Sequence, residues 1–417
     1  MTDSVTIVPP RAPLRGRVAP PGSKSITNRA LLLAALARGT SRLTGALKSD
    51  DTRYMAEALR QMGVTVEEPD ATSFLVTGSG TLRAPAAPLF LGNAGTATRF
   101  LTAACALADG PVVVTGDAHM QKRPIGPLVT ALAALGVVAE APTGCPPVTV
   151  QGRGGFEGEA VTIDAGLSSQ YVSAVLMLAA CGSRPVRVSL AGDAIGARGY
   201  IDLTTAAMRR FGADVAQDGP GAWTVASTGY RAADLHVEPD ASAATYLWAA
   251  AVLTGGDIDI GTAPEAFTQP DAQAQALIAA FPHLPAVIDG SQMQDAVPTL
   301  AALSAFNATP VRFTGIANLR VKECDRVAAM ATELSRLSPG LAVEDGDDLV
   351  VTPCPPEAFR PARIETYADH RIAMSMALVG LKVPGVTILD PGCVAKTYPD
   401  YWRDLERLGV TLREAVA

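Results

Sequence analysis

Six segments of the chain share one pattern: a short polar opening, then an Ala/Leu-rich run with no polar face. The first reads Pro21-Gly-Ser-Lys24-Ser25-Ile-Thr-Asn-Arg29-Ala-Leu-Leu-Leu-Ala-Ala-Leu, and Gly39 is expected to close its helix. The others open at Asn93, Ser168, Asp240, Asp295 and Asp369. Counted from Ser25, the intervals are 68, 75, 72, 55 and 74 residues. A helix apolar all round belongs in a core. Only its first turn then meets solvent, and free N–H groups and the helix dipole favour an anion there. Ser23, Lys24, Ser25 and Arg29 are therefore expected to converge on a phosphate or carboxylate.

A second pattern alternates with the first: an amphipathic helix, usually a glycine, then an alternating strand. It occupies 58–66, 131–138 and 207–215, more weakly 277–288 and 333–343, and finally 405–412. Two patterns alternating six times predict six copies of a two-helix α/β element. Short strands are expected at 5–8, 14–18, 112–114 and 186–190, and helices at 201–211 and 327–337. Residues 48–54 read as the capped start of a helix ending at Gly63.

A chain of 417 residues exceeds one core, and six units divide into three and three. Val237-Glu-Pro239 is the break, so the halves should meet near residue 238. The cores must be Ala, Leu and Val, because aromatic residues make up only 5% of the chain. A formal charge of −7 argues against nucleic acid or an anionic membrane surface as partner. Basic residues nonetheless gather at the helix openings: Lys24, Arg29, Arg99, Arg123, Arg326, Arg371 and Lys396. That placement suits a small polyanionic substrate. Six scattered cysteines without a Cys-x-x-Cys pair suggest a reducing compartment, no disulfide framework and no zinc knuckle. With no signal-like N-terminus or membrane-length apolar run, a cytoplasmic protein is expected.

Gly22-Ser-Lys24-Ser25 does not fit a nucleotide P-loop, which needs Gly, four residues, then Gly-Lys-[Ser/Thr]. Residues 318–326, Asn-Leu-Arg-Val-Lys-Glu-Cys-Asp-Arg, form the densest charged cluster. For several residues a structural reading stands beside the chemical one. Asp240 and Asp295 could cap their helices, and Glu323 with Arg326 could be an exposed i,i+3 ion pair.

Taken together, these stretches resemble the enolpyruvyl transferases, specifically the branch acting on shikimate 3-phosphate, the target of glyphosate. The matching segments are Pro21-Gly-Ser-Lys-Ser with Asn28-Arg29, Leu91-Gly-Asn-Ala-Gly-Thr96, Arg123-Pro124, Ser168-Ser-Gln170, Asp240-Ala-Ser242, Arg320-Val-Lys-Glu-Cys-Asp-Arg326, Asp369-His-Arg371 and Lys396-Thr-Tyr-Pro399. They run from about residue 14 to 408. The resemblance implies an α/β fold of two similar domains, each of three βαβαββ repeats in an inside-out, barrel-like arrangement, with the active site in the interdomain cleft. It also implies that residues 1–19 cross back to join 238–417, leaving 20–237 as the other domain.

The resemblance further implies that shikimate 3-phosphate is bound by Lys24, Ser25, Arg29, Ser168, Ser169, Gln170, Tyr200, Asp295, Asn318 and Lys322. Phosphoenolpyruvate would be bound by Lys24, Asn93, Gly95, Arg123, Gln170, Arg326, Arg371 and Lys396. Arginine forks suit carboxylate and phosphate, and lysine serves as a compact charge. Catalysis is expected from Asp295 as base, Glu323 and Lys24 in proton transfer at the methylene carbon, and Lys396 and His370 in phosphate departure. No metal or organic cofactor is called for, and a monomer is expected. The chain departs from the family pattern at Phe100, His119 and Ala197, where Arg198 alongside is expected to compensate for a missing hydroxyl.

Two rivals stand beside this reading. A UDP-N-acetylglucosamine enolpyruvyl transferase commonly carries a reactive Cys before the Arg-Pro pair, and 110–123 holds none. A non-catalytic repeat scaffold would have no reason to set Lys, Arg, Asp and Glu at successive buried helix mouths.

Overall fold

The computed structural model describes residues 3–192 and 196–415. The chain divides into a C-terminal unit, Met1–Pro21 with Pro239–Ala417, and an N-terminal unit, Gly22–Glu238. The first strands are β1 (Ser4–Val8) and β2 (Arg15–Arg17).

The N-terminal unit follows with α1 (Lys24–Leu36), β3 (Ala37–Thr44), α2 (Asp50–Gln61), β4 (Thr65–Asp70) and β5 (Ser73–Ser79). Next come β6 (Leu89–Phe90), α3 (Gly95–Ala104), β7 (Pro111–Thr115), α4 (Gly126–Ala134), β8 (Ala139–Glu140) and β9 (Val148–Gln151). The third repeat is β10 (Ala160–Asp164), α5 (Ser169–Ala179), β11 (Val186–Ala191), α6 (Gly199–Arg210), β12 (Val215–Gly219) and β13 (Ala222–Val225). Two short strands, β14 (Tyr230–Arg231) and β15 (Leu235–His236), end the unit.

The C-terminal unit continues with α7 (Ala241–Thr254), β16 (Asp257–Asp259) and α8 (Ala274–Ala279). Its middle repeat is β17 (Val287–Asp289), α9 (Val297–Ser304), β18 (Val311–Thr314), α10 (Arg326–Leu337), β19 (Ala342–Asp345) and β20 (Asp348–Val351). The last is β21 (Ala362–Ile364), α11 (His370–Gly380), β22 (Val386–Leu389), α12 (Tyr401–Arg407) and β23 (Thr411–Ala415).

The repeats share one sheet topology. Orders β6-β7-β9-β8, β10-β11-β13-β12 and β17-β18-β20-β19 each place a parallel pair beside an antiparallel hairpin. The end repeats reach the same order by borrowing strands. In the first, β14 pairs in parallel with β3. In the last, β1 lies between β22 and β23, antiparallel to both. The fourth repeat is reduced to β16 in parallel with β2. The described strands thus form six open sheets and no closed barrel.

Alternation along a strand puts one face of each sheet on the core, as in β10, where only Val161 and Ile163 are buried. The six helices α1, α3, α5, α7, α9 and α11 are buried almost throughout, as an all-apolar circumference requires. The amphipathic helices between them end as the sequence predicts. Gly63, Gly136, Gly212 and Gly409 take φ of 86°, 79°, 86° and 100°, a left-handed turn in which a side chain would be strained. The expected closure of α1 by Gly39 is not what happens. The helix stops at Leu36, and Ala37 is already extended, because the chain passes directly into β3 and its pairing with β5 and β14.

Candidate active site

In the N-terminal unit, α3 packs against both α1 and α5. Ser23 caps α1 by accepting the Ile26 N–H at 3.4 Å. Lys24 follows, buried, with Nζ 3.6 Å from Asp51 Oδ2 in the first turn of α2. Ser25 is half-buried. Arg29 starts from another face of α1, since five residues turn a helix by about 140° beyond a full circle. It is 2% exposed and donates to Thr204 Oγ1 (2.7 Å), Ser173 Oγ (3.2 Å) and the carbonyls of Ser25 (2.9 Å) and Tyr200 (3.1 Å). Lys24 thus meets Asp51, while Arg29 reaches back to the Ser25 carbonyl in the first turn and also ties α1 to α5 and α6. Burial lowers the Arg29 pKa to about 10, and Tyr200 acts in the opposite direction, so the group remains a cation at neutral pH.

Gly95 is the first residue of α3 and lies under two guanidiniums. A Cβ there would stand 2.7 Å from both Arg99 Nη1 and Arg123 Nη2. Arg99 Nη1 donates to the Gly95 carbonyl at 3.1 Å, and its Nη2 to that of Pro124 at 3.1 Å. Arg123 Nη1 donates to Asn93 Oδ1 at 3.0 Å. Ser168 caps α5 by accepting the Gln170 N–H at 3.2 Å, Ser169 is buried, and Gln170 Nε2 donates to Thr96 Oγ1 at 3.3 Å. That last bond ties the mouths of α5 and α3 together. Tyr200 is half-buried near the start of α6. The departures from the family pattern fall in different places. Phe100 is fully buried, with the Arg29 guanidinium 5.2 Å from its ring centroid. Ala197 is buried at a left-handed φ of 54°, Arg198 beside it is half-buried, and His119 is exposed.

In the C-terminal unit the charges form one network. Arg326, first residue of α10, donates Nε to Asp369 Oδ2 (2.8 Å), Nη1 to Asp295 Oδ1 (3.0 Å) and Nη2 to Glu323 Oε2 (2.6 Å). Arg371 Nη2 donates to the other Asp295 oxygen at 2.7 Å, and its Nη1 to the Tyr246 hydroxyl at 3.4 Å. Lys396 Nζ lies 3.5 Å from Glu323 Oε1. His370 is fully buried, with Nδ1 3.4 Å from Asp369 Oδ1. Asn318 is buried and Lys322 half-buried alongside. Burial opposes the charge on Arg326, but Asp369, Glu323 and Asp295 outweigh it and hold the pKa above the ordinary value. Arg371 is held up the same way, with Asp295 the strongest opposing influence. Burial pushes the Tyr246 hydroxyl up to about 12 although Arg371 acts the other way.

These contacts decide readings the sequence left open. Asp240 is a cap, accepting the Ala243 N–H at 2.9 Å. Asp295 is not: it lies in a 3-10 turn before α9, and its two oxygens face Arg326 and Arg371. Glu323 and Arg326 do pair, but both are buried. Sequence reasoning missed Asp51 beside Lys24, Asp369 as hub of the arginine network, and Thr204 and Ser173 around Arg29. Asp51 had a signal in Lys48-Ser-Asp-Asp51, absorbed by the helix-start reading. Thr204 and Ser173 had none, since they sit mid-helix.

The chain matches the family model of EPSP synthase (3-phosphoshikimate 1-carboxyvinyltransferase) over residues 8–283 and 282–405. It is 68% identical over 412 residues to the 3-phosphoshikimate 1-carboxyvinyltransferase of Rhizobium etli (strain CIAT 652), covering 98% of each chain. It is 65% identical to that of Pseudomonas syringae pv. syringae (strain B728a), covering 98% of this chain and 99% of the relative. Among solved structures, EPSP synthase from Acinetobacter baumannii superposes with a TM-score of 0.79 at 26% identity over the whole of both chains. The enolpyruvyl transferase NikO from Streptomyces tendae shares the fold, with a TM-score of 0.76 at 21% identity over the whole of both chains. The chain therefore belongs to the EPSP synthase (3-phosphoshikimate 1-carboxyvinyltransferase) family.

Proposed function

We propose that the protein transfers the enolpyruvyl group of phosphoenolpyruvate to the 5-hydroxyl of shikimate 3-phosphate and releases phosphate. The observation that carries this reading is the buried network in which Arg326 and Arg371 share Asp295 while Glu323 lies between Arg326 and Lys396. It sets two guanidiniums, an ammonium and two carboxylates in one place. That is the equipment needed to hold a phosphorylated carboxylate and move protons beside it.

On this reading phosphoenolpyruvate is held by Lys24, Asn93, Gly95, Arg123, Gln170, Arg326, Arg371 and Lys396. Lys24, Ser25, Ser168, Ser169, Gln170, Tyr200, Asn318 and Lys322 hold the sugar phosphate, with Arg29 the buried cation behind Ser25. Asp295 takes the proton of the 5-hydroxyl as that oxygen bonds to C2 of phosphoenolpyruvate, and C3 gains a proton through Lys24 or Glu323. In the second step C3 loses a proton, the C2–O bond to phosphate breaks, and the double bond returns. His370 and Lys396 assist the departing phosphate. The interdomain cleft, the 1–19/238–417 and 20–237 division, a monomeric state and a cytoplasmic location belong to the same proposal. Among the described residues no helix is long and apolar enough to cross a membrane.

The test is phosphate release from phosphoenolpyruvate with shikimate 3-phosphate or UDP-N-acetylglucosamine as acceptor. Release with the former alone is expected. Release with only the nucleotide sugar, or with neither, overturns the assignment.

A further inference from the structure

The turn that delivers Asp369, His370 and Arg371 is built against backbone preference. Tyr367 and Ala368 take φ of 56° and 53°, two consecutive left-handed residues, neither of them glycine. A side chain in that region meets the following carbonyl, so such a turn persists only when its surroundings hold it. The holding group is a residue to which the mechanism gives no role. Glu333 is fully buried in α10. Its Oε2 accepts the Glu365 N–H at 3.1 Å, and its Oε1 accepts the Tyr367 hydroxyl at 2.7 Å. Arg336 Nε, 2.9 Å from Oε2, supplies the counter-charge. One carboxylate thus grips the turn at two points.

The same helix grips it at a third. Arg326 and Glu333 are seven residues apart, about two turns of α10, and so lie on one face. Arg326 holds Asp369 at the far end of the turn (2.8 Å), while Glu333 holds Glu365 and Tyr367 at the near end. Between them the chain has little freedom: the Asp369 N–H closes onto the Thr366 carbonyl at 2.8 Å, and Asp369 Oδ1 accepts the Arg371 N–H at 2.9 Å. Losing the Glu333 contacts would let the left-handed pair relax. Asp369 and Arg371, one and three residues further on, would move with it.

We propose that Glu333 is a positioning residue for phosphoenolpyruvate: it locks the 365–368 turn in its left-handed form and thereby aims Arg371 and the Asp369–Arg326 pair. The proposal rests on the functional reading above for its ligand, but not for its geometry.

The test uses Glu333→Gln, which keeps the shape but presents an amide donor where a carboxylate oxygen accepted. Expected is a KM for phosphoenolpyruvate raised at least about tenfold, with the KM for shikimate 3-phosphate changed less than about twofold. Tyr367→Phe should reproduce part of the effect. Adding Ala368→Gly to Glu333→Gln should restore most of the loss, because glycine takes a positive φ without strain. Amide hydrogen exchange over 365–371 should quicken at least about tenfold in Glu333→Gln and slow again in the double variant. Unchanged exchange in that segment overturns the proposal whether or not the wild type turns over phosphoenolpyruvate. So does a lowered Tm with unchanged KM values, or a loss that Ala368→Gly leaves in place. An inactive wild type with the predicted exchange pattern would sink the functional reading and leave the clamp standing.

Discussion

At the residue scale, the two helix mouths solve opposite problems. At α3 the backbone must lie close under two guanidiniums, so position 95 carries no side chain. The Cβ of Gly95→Ala would come within 2.7 Å of Arg99 Nη1 and Arg123 Nη2, and both forks would have to move. Their stems are flexible, so the fold should survive. The expected outcome is a several-fold rise in the KM for phosphoenolpyruvate with Tm unchanged, read by steady-state kinetics and thermal melting. At α10 the problem is three carboxylates around one cation, and only a fork with separate donors reaches all of them. Asp295 is the member proposed to take a proton. Asp295→Ala should lower kcat by about 10²–10⁴, the range general-base catalysis contributes. Single-turnover phosphate release would check it, and retention of wild-type kcat would remove Asp295 from the mechanism.

At the element scale, helix openings do two jobs that look alike in sequence. Asp240 accepts the Ala243 N–H and so is a cap. Asp240→Ala should cost about 1 kcal/mol of stability, the usual worth of an N-cap, with kcat close to wild type. Urea unfolding beside an activity assay separates the two effects, and a kcat loss without a stability loss would reassign Asp240 to the chemistry. Asp295, four residues before Thr299 of α9, instead turns both oxygens to arginines. The difference lies in what stands opposite each aspartate: the helix's own first turn in one case, α10 and α11 in the other.

At the scale of the molecule, the first strands complete repeats written at the far end of the chain. β1 lies between β22 and β23, so without it β21-β22 and β23 share no strand. Deleting residues 1–19 should therefore abolish the cooperative unfolding of the C-terminal unit, which holds Trp248 and Trp402, while Trp223 of the N-terminal unit keeps its buried emission. Tryptophan fluorescence during urea unfolding would show it. A single wild-type-like transition would mean that β23 or another strand closes the sheet unaided.

Sequence alone determined the recurring grammar. Six all-apolar helices had to be buried, because no face of them tolerates water, and the glycines ending the amphipathic helices had to take the left-handed turn. The charged openings marked where chemistry would gather. Tertiary structure decided which charges meet. Arg29, five residues past Lys24, meets Thr204 and Ser173 as well as the Ser25 carbonyl, because α6 and α5 bring those hydroxyls to it. Asp369 caps α11 locally, through the Arg371 backbone, but it meets Arg326 only because α10 and α11 pack together. The borrowed strands β1 and β14, the reduced fourth repeat and the left-handed pair at 367–368 were equally silent in the sequence. Their causes lie in segments far away along the chain. Local periodicity reports what a segment must bury; it does not report its partner.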